Sequence, residues 1–139
     1  MKAHFEMFAG YNAWADDRLY TAMAALTEDE ARADLGAFFG SVHRTLNHIM
    51  VADLIWLARL RGQPNPPFAL DHILHDDREE LRAARRVLDA DIIRCVAAFA
   101  EAELADAITY RPITLPEPVT GTRAAILAHV FNHQTHHRG

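Results

Sequence analysis

The strongest candidates for chemistry are histidines close to the end of the sequence. Four of the nine histidines lie in the last eleven residues, and His129, His133 and His137 follow one another at intervals of four. On an α-helix, residues four apart lie on one face, about one turn from each other. Two imidazoles placed in this way can bind the same metal ion, so the spacing indicates a metal site.

The three histidines of this row cannot all bind one ion. His129 and His137 are separated by about 12 Å along a helix, whereas a metal–nitrogen contact is only about 2 Å long. His129 and His137 therefore cannot both be ligands, whereas His133 and His137 can. His129 shares the ligand face and is a candidate to support a ligand or to line a pocket. His136 lies about 100° around the helix from His137, so we expect it on the surface.

A third ligand must come from another element, and the second long helix offers His43 and His48. His48 shares a small-to-apolar face with Ala52 and Ile55, and bundle cores are where facing helices bring ligands together. Three imidazoles with open positions are typical of a catalytic metal site. A lone histidine on such a face is more often a core residue, and His43 or His129 remains a possible fourth ligand.

Hydrophobic periodicity predicts the elements that would position these residues. The predicted helices cover residues 3–26, 38–61, 76–103 and 123 to the end, with a short helical turn at 28–34 that begins at a capping box on Thr27. Prolines interrupt residues 62–75, a predicted surface loop, and residues 107–121, a predicted extended segment or irregular hairpin. The fold class is therefore all-α, a four-helix bundle with a short irregular or extended segment before the last helix.

The same periodicity predicts which residues are buried. On the first helix the expected core stripe comprises Phe5, Phe8, Tyr11 or Asn12, Ala15, Leu19, Ala22 and Leu26, and Phe39 begins the stripe of the second helix. Cys95 lies on the stripe of the third helix, where packing is its expected role. The arginines of that helix alternate with acidic residues, which predicts a solvated face formed by Arg82, Arg85, Arg86 and Arg94.

Asp53 falls on the apolar stripe of the second helix, five residues after His48. A buried carboxylate at this position can orient a histidine or form a salt bridge with Arg18 or Arg44, and the structural role is favoured. Tyr11, Trp14 and Trp56 are candidates to line a pocket, although aromatic residues at helical spacing are more often part of the core.

Length, charge and hydropathy exclude several classes of protein. The chain has 139 residues, which predicts one domain, and its net charge of −5 argues against a nucleic-acid-binding protein. No stretch has the roughly 18 apolar residues of a membrane span, and the first residues lack the apolar core of a signal peptide. With one cysteine there is no intrachain disulfide, and we expect a cytoplasmic protein without a membrane partner.

Three segments together resemble the DinB (DNA-damage-inducible) family of the DinB/YfiT-like metalloenzyme superfamily. They are Tyr11-Asn-x-Trp14-Ala, Leu46-Asn-His48-x4-Asp53-x2-Trp56 and His133-x2-His136-His137-Arg-Gly. The resemblance covers nearly the whole chain and implies a four-helix bundle, commonly dimeric, with a divalent metal ion bound by His48, His133 and His137. Family members continue past His-Arg-Gly, so we expect residues 1–139 to be one DinB-like domain that is truncated at its C-terminus.

The resemblance also implies a function. Related superfamily members include thiol-dependent S-transferases and a thiol-dependent isomerase, which suggests a divalent-metal-dependent enzyme acting with a low-molecular-weight thiol on a small molecule. A metal ion bound by three neutral imidazoles can lower the pKa of a bound water or thiol. Zinc and nickel are the favoured metals on general grounds. The alternatives are a metal-dependent hydrolase and a non-catalytic metal-binding stress-response dimer.

Overall fold

The computed structural model describes all residues from 1 to 139 and consists of helices with one small hairpin. Its elements, in chain order, are α1 (Lys2–Ala24), α2 (Glu28–Arg32), α3 (Val42–Leu60), α4 (Arg78–Ala98), a 3-10 turn (Ala102–Ala105), β1 (Ala107–Tyr110), β2 (Val119–Thr122) and α5 (Arg123–Arg138). The four long helices confirm the predicted helical fold. None of the helices combines the length and apolar character needed to cross a bilayer.

Side-chain caps explain where the helices begin. At α2 the Thr27 hydroxyl accepts from the Glu30 backbone N–H and the Glu30 carboxylate accepts from that of Thr27, so the predicted capping box is confirmed. At α3, α4 and α5 the side chains of Ser41, Asp77 and Thr122 accept hydrogen bonds from backbone N–H groups of the first helical turn, without the reciprocal bond.

The second long helix starts four residues later than predicted, at Val42 instead of residue 38. Gly36 and Gly40 adopt positive φ angles of 73° and 84°, and the Leu35 N–H donates to the Gly40 carbonyl at 2.8 Å. Glycine adopts this left-handed conformation without steric cost, so the chain turns tightly here and Ser41 starts the helix. Phe39 consequently lies in the turn before α3, and its predicted place on the helical stripe is wrong.

The helices pack α1 against α4 and α3 against α5, with α1 also touching α5 and α3 touching α4. On α1 the buried positions are Phe5, Ala9, Asn12, Asp16, Tyr20 and Met23. This stripe differs from the predicted one, because polar and charged residues occupy the core face toward the middle of the helix. Tyr11 is instead exposed, while Ala15 and Leu19 are half-buried.

Arg85 corrects the predicted solvated arginine face of α4. Its side chain is only 2% exposed, and its guanidinium lies 2.7 Å from Asp53 on α3 and 3.4 Å from Asp16 on α1. It also donates to Asp89, one turn further along α4. Three carboxylates around one cation satisfy it in the low-dielectric interior, so this ionic cluster joins three helices at the centre of the bundle.

The segment before α5 forms an antiparallel hairpin, as predicted. Its register pairs Ala107 with Thr122 and Tyr110 with Val119. The Tyr110 ring packs edge-on against Trp56 of α3 with 5.2 Å between the ring centroids. The hairpin therefore covers the side of α3 that faces α5. The third long helix also ends sooner than the predicted residue 103, because α4 stops at Ala98, where Phe99 is extended.

Candidate metal centre

Helices α3 and α5 bring His48, His133 and His137 together. Each offers one ring nitrogen within 4.8 Å of those of the other two, and the Nε2 atoms of His48 and His133 are 3.3 Å apart. The ring centroid of His137 lies 4.4 Å from that of His133 and 4.7 Å from that of His48. The three side chains predicted from the sequence to meet thus form one cluster.

A loop carbonyl orients the His48 ring. The Nδ1 atom of His48 lies 2.8 Å from the backbone oxygen of Leu70. Because a carbonyl only accepts hydrogen bonds, Nδ1 carries the proton and Nε2 keeps its lone pair directed at His133. A hydrogen bond of this kind on the far ring nitrogen is typical of histidines that bind metals. Sequence patterns could not reveal it, since the acceptor is a backbone atom.

The environment keeps the imidazoles neutral. Burial, followed by the proximity of His137 and His48, lowers the pKa of His133 to about 3. Burial, followed by the proximity of His48, lowers the pKa of His137 to about 4. Burial also lowers the pKa of His48. Neutral imidazoles retain the lone pairs that a metal ion requires.

Phe39 covers one side of the cluster. Its ring stacks on His48 with 3.8 Å between the centroids and lies 5.7 Å from His137. A half-buried aromatic ring here excludes water from the histidines and holds the His48 ring in place. Helical periodicity predicts Phe39 as a core residue of a helix and does not predict this position at the site.

Helix α5 is fixed by polar contacts next to the histidines. The Gln134 amide, fully buried beside His133, donates to the Asp53 carboxylate, and Arg138 lies 3.1 Å from Asp16 of α1. The predicted pairing of Asp53 with Arg18 or Arg44 is therefore wrong. Asp53 instead binds Arg85 and Gln134, which places it in the ionic cluster and lets it position α5.

A cavity of about 470 Å³ adjoins the histidine cluster. Trp56 and His129 line it together with His48 and His133, and the hairpin forms its outer wall. The His129 ring packs 4.7 Å from the Trp56 ring and 6.0 Å from that of His133. His129 thus borders the cavity and lies outside the group of three close histidines.

The remaining candidates lie elsewhere. Tyr11 and Trp14 are 49% and 56% exposed on α1, so neither lines the cavity nor belongs to the core, contrary to both predictions. His43 is buried, its Nε2 hydrogen-bonds at 3.0 Å to the backbone oxygen of Asp76, and it lies outside the group of three close histidines. His136 is exposed, as its helical position predicts.

The histidine cluster fits a divalent ion. Two nitrogens bound to a tetrahedral ion at 2.0–2.1 Å lie about 3.4 Å apart, close to the 3.3 Å between the facing Nε2 atoms. The Nδ1 atom of His133 is buried without a hydrogen-bond partner in the protein. Three imidazoles beside a cavity leave positions open for a further ligand. These features are those of a metal-binding helical protein.

Comparison with known proteins agrees with this geometry. The sequence model of the DinB family matches residues 1–139 of the chain. Protein DinB of Bacillus subtilis (strain 168) is 24% identical over 136 residues, which cover 93% of this chain and 77% of that protein. The crystal structure of a DinB-like protein from Bacillus cereus ATCC 10987 has a TM-score of 0.68 at 16% identity, covering 95% of this chain and 84% of that one. The chain with this three-histidine cluster therefore belongs to the DinB family.

Proposed function

We propose that the protein is a divalent-metal-dependent enzyme that acts on a small molecule, with His48, His133 and His137 as metal ligands. The observation that carries this proposal is the position of the three ring nitrogens, within 4.8 Å of one another, at the edge of a cavity of about 470 Å³. A structural metal site is normally closed by a fourth protein ligand, whereas the open side of this cluster faces the cavity.

Thiol-dependent S-transfer is the reaction that we propose for this site, with zinc or nickel as the metal. When bound, the ion supplies Lewis acidity, which lowers the pKa of a coordinated thiol or water. The chain's own contribution is to orient the site: the Leu70 carbonyl holds the His48 ring, and Phe39 shields it from water. In such a transfer the thiol sulfur forms a bond to an electrophilic carbon, the leaving group departs from that carbon, and the thiol proton goes to solvent.

The rival proposal is a non-catalytic metal-binding dimer. It requires a fourth protein ligand and no adjoining cavity. His43 is engaged with Asp76, His129 stands outside the group of three, and the cavity is present. These observations favour the catalytic proposal over the non-catalytic one.

Cobalt substitution tests the proposal. We expect cobalt-loaded protein to show a sulfur-to-cobalt charge-transfer band when glutathione or cysteine is added, and His48→Ala protein to show none. His136→Ala removes an exposed histidine of the same helix and serves as the matched control, which should retain the band. Thiol consumption with an electrophilic aryl chloride should then depend on the metal. A metal-loaded protein that gives no band with any thiol would contradict S-transfer while leaving metal binding intact.

A further inference from the structure

Arg59 is a buried cation without an anionic partner. It is 7% exposed, and only two arginines, Arg59 and Arg85, are buried in the chain. Arg85 contacts three carboxylates, whereas Arg59 forms no ion pair at all. Its Nε donates to the Asn65 side chain at 3.0 Å, and its Nη2 makes a long contact of 3.4 Å to the Arg111 carbonyl. Its Nη1 donates to no protein group.

Two aromatic rings hold the guanidinium in place. Its central carbon lies 4.4 Å from the Trp56 ring centroid and 4.5 Å from that of Tyr110. Such contacts offset part of the desolvation of a cation, but a buried charge without a counter-ion remains unfavourable. Burial accordingly lowers the pKa of Arg59 below the usual range of an arginine. A rigid guanidinium with unused N–H donors suits a carboxylate, which it can bind with two parallel hydrogen bonds.

Arg59 lines the same cavity as the histidine cluster, at its far end. His48 and Arg59 are eleven residues apart on α3, which corresponds to one face of the helix and about 16 Å along its axis. Between them the cavity wall includes the apolar side chains of Ala52 and Ile55 and the imidazole of His129. The cavity therefore offers a metal-ligand cluster at one end, a mainly apolar middle and an unpaired cation at the other end.

From this arrangement we infer that the cavity binds an elongated carboxylate-bearing small molecule, whose carboxylate pairs with Arg59 while its reactive end lies at His48 and His133. The inference rests on the proposed function for the reactive end only. The pairing at Arg59 stands on its own. The carboxylate belongs either to the thiol itself or to the acceptor. If it belongs to the thiol, a bound metal ion strengthens the binding of a compound that carries both a thiol and a carboxylate. If it belongs to the acceptor, the metal ion brings no such gain.

Octanoate and octanol are suitable probes, because they share an apolar chain and differ in the carboxylate. In a Trp14→Phe background Trp56 is the single tryptophan, since the chain has two, and its fluorescence reports on the cavity. We expect metal-free protein to bind octanoate at least about tenfold more tightly than octanol. Arg59→Met should weaken octanoate binding by roughly 30-fold and abolish this preference, because it removes one partner of a buried charge pair.

Arg61→Met is the matched control. Arg61 ends the same helix but pairs with Asp91 at 2.9 Å and does not line this cavity, so its loss should leave the octanoate preference unchanged. Equal binding of octanoate and octanol by the wild type, or a preference that survives in Arg59→Met, overturns the inference. Should Arg59→Met fail to fold, NMR of the wild type provides the test. The guanidinium Nε–H signal of Arg59 is identified as the one that is missing in Arg59→Lys. This signal must shift when octanoate is added and must not shift with octanol.

A second arm separates this inference from the proposed function. With metal-loaded protein, ω-mercaptooctanoate should bind much more tightly than octanoate if thiol and carboxylate belong to one molecule. If the metal brings no gain while the octanoate preference persists, the carboxylate belongs to the acceptor and Arg59 keeps its role. The thiol part of the proposed function is then decided separately, by the sulfur-to-cobalt charge-transfer band. Loss of the preference alone refutes Arg59 as the carboxylate partner.

Discussion

Replacing Arg85 with methionine should destabilise the protein more than any change of a surface charge. The substitution removes the only cation that contacts Asp53 at 2.7 Å and deprives Asp16 and Asp89 of the same partner. Removing one member of a buried ion pair costs about 3–5 kcal/mol, because it leaves an uncompensated charge in the interior. With three carboxylates affected, we expect a loss of at least about 4 kcal/mol in the free energy of unfolding.

The expected loss can be converted into a change of melting temperature. At about 2.1 cal/mol/K per residue, the unfolding entropy of 139 residues is roughly 0.29 kcal/mol/K. A loss of about 4 kcal/mol therefore lowers Tm by about 14 °C. The free energy of unfolding of such domains is only about 5–15 kcal/mol. The variant should therefore still fold at low temperature and unfold at a lower temperature than the wild type.

Urea unfolding followed by circular dichroism, together with scanning calorimetry, measures the effect. A chelator in all samples keeps metal binding from adding to the stability. The control is Arg86→Met, which removes the neighbouring arginine, whose side chain is 62% exposed and pairs with Asp17 at 2.9 Å. It should cost less than about 0.5 kcal/mol. A loss below about 1 kcal/mol for Arg85→Met would refute the reasoning that the ionic cluster holds the helices together.

Two further predictions concern pH and the cover of the site. Burial raises the pKa of Asp16 from 3.8 to about 6, so between these values the folded state binds a proton that the unfolded state has released. This stabilisation is fully present below the unfolded pKa and is lost as the pH rises through about 6. From roughly pH 4 to 7 the unfolding free energy of the wild type should therefore fall relative to that of Asp16→Asn, by up to about 3 kcal/mol at 1.36 kcal/mol per pKa unit. A pH-independent difference between the two denaturation series would contradict this. Phe39→Ala removes the ring stacked on His48 and should weaken metal retention about tenfold in a competition with a chromophoric chelator. Phe38→Ala, at a neighbour that is 93% exposed, should change nothing, and equal effects of the two variants would argue against a role for Phe39.

Local signals were sufficient to predict most of the fold. Helical periodicity, the capping box at Thr27 and the prolines between residues 107 and 121 correctly indicated the helices and the hairpin. The cluster of His48, His133 and His137 was also predictable. The last helix carries histidines at intervals of four residues, and His48 lies on an apolar face of the second long helix, which limits the histidines that can meet. Their role as metal ligands stays a prediction.

The buried charges at the centre of the bundle were predicted only in part. Asp53 was expected to be buried, but Arg85 was predicted on a solvated face, although it falls on the apolar stripe of α4 between Leu81 and Leu88, and the buried Asp16 of α1 was not predicted. Helical spacing was the signal that could have identified them. For Arg85 it was outweighed by the alternation of arginines with acidic residues, which is typical of a solvated face but also occurs where such residues neutralise each other in the interior.

Other contacts could not be predicted from sequence patterns. The hydrogen bond from His48 to the Leu70 carbonyl depends on the path of a loop, and a backbone acceptor has no residue signature. Arg59 lacks an anionic partner because the hairpin covers it without supplying a carboxylate. Both depend on tertiary structure, which periodicity does not encode.

The central claim, that three histidines from two helices bind one metal ion, is tested most directly by metal analysis of tag-free protein purified without a nickel column. After loading with zinc or nickel and removal of free metal, the wild type should retain one ion per chain, and His136→Ala should retain the same amount. His48→Ala should retain little, because it removes the ligand contributed by α3. Absence of stoichiometric metal in the wild type, or full occupancy in His48→Ala, would contradict the claim.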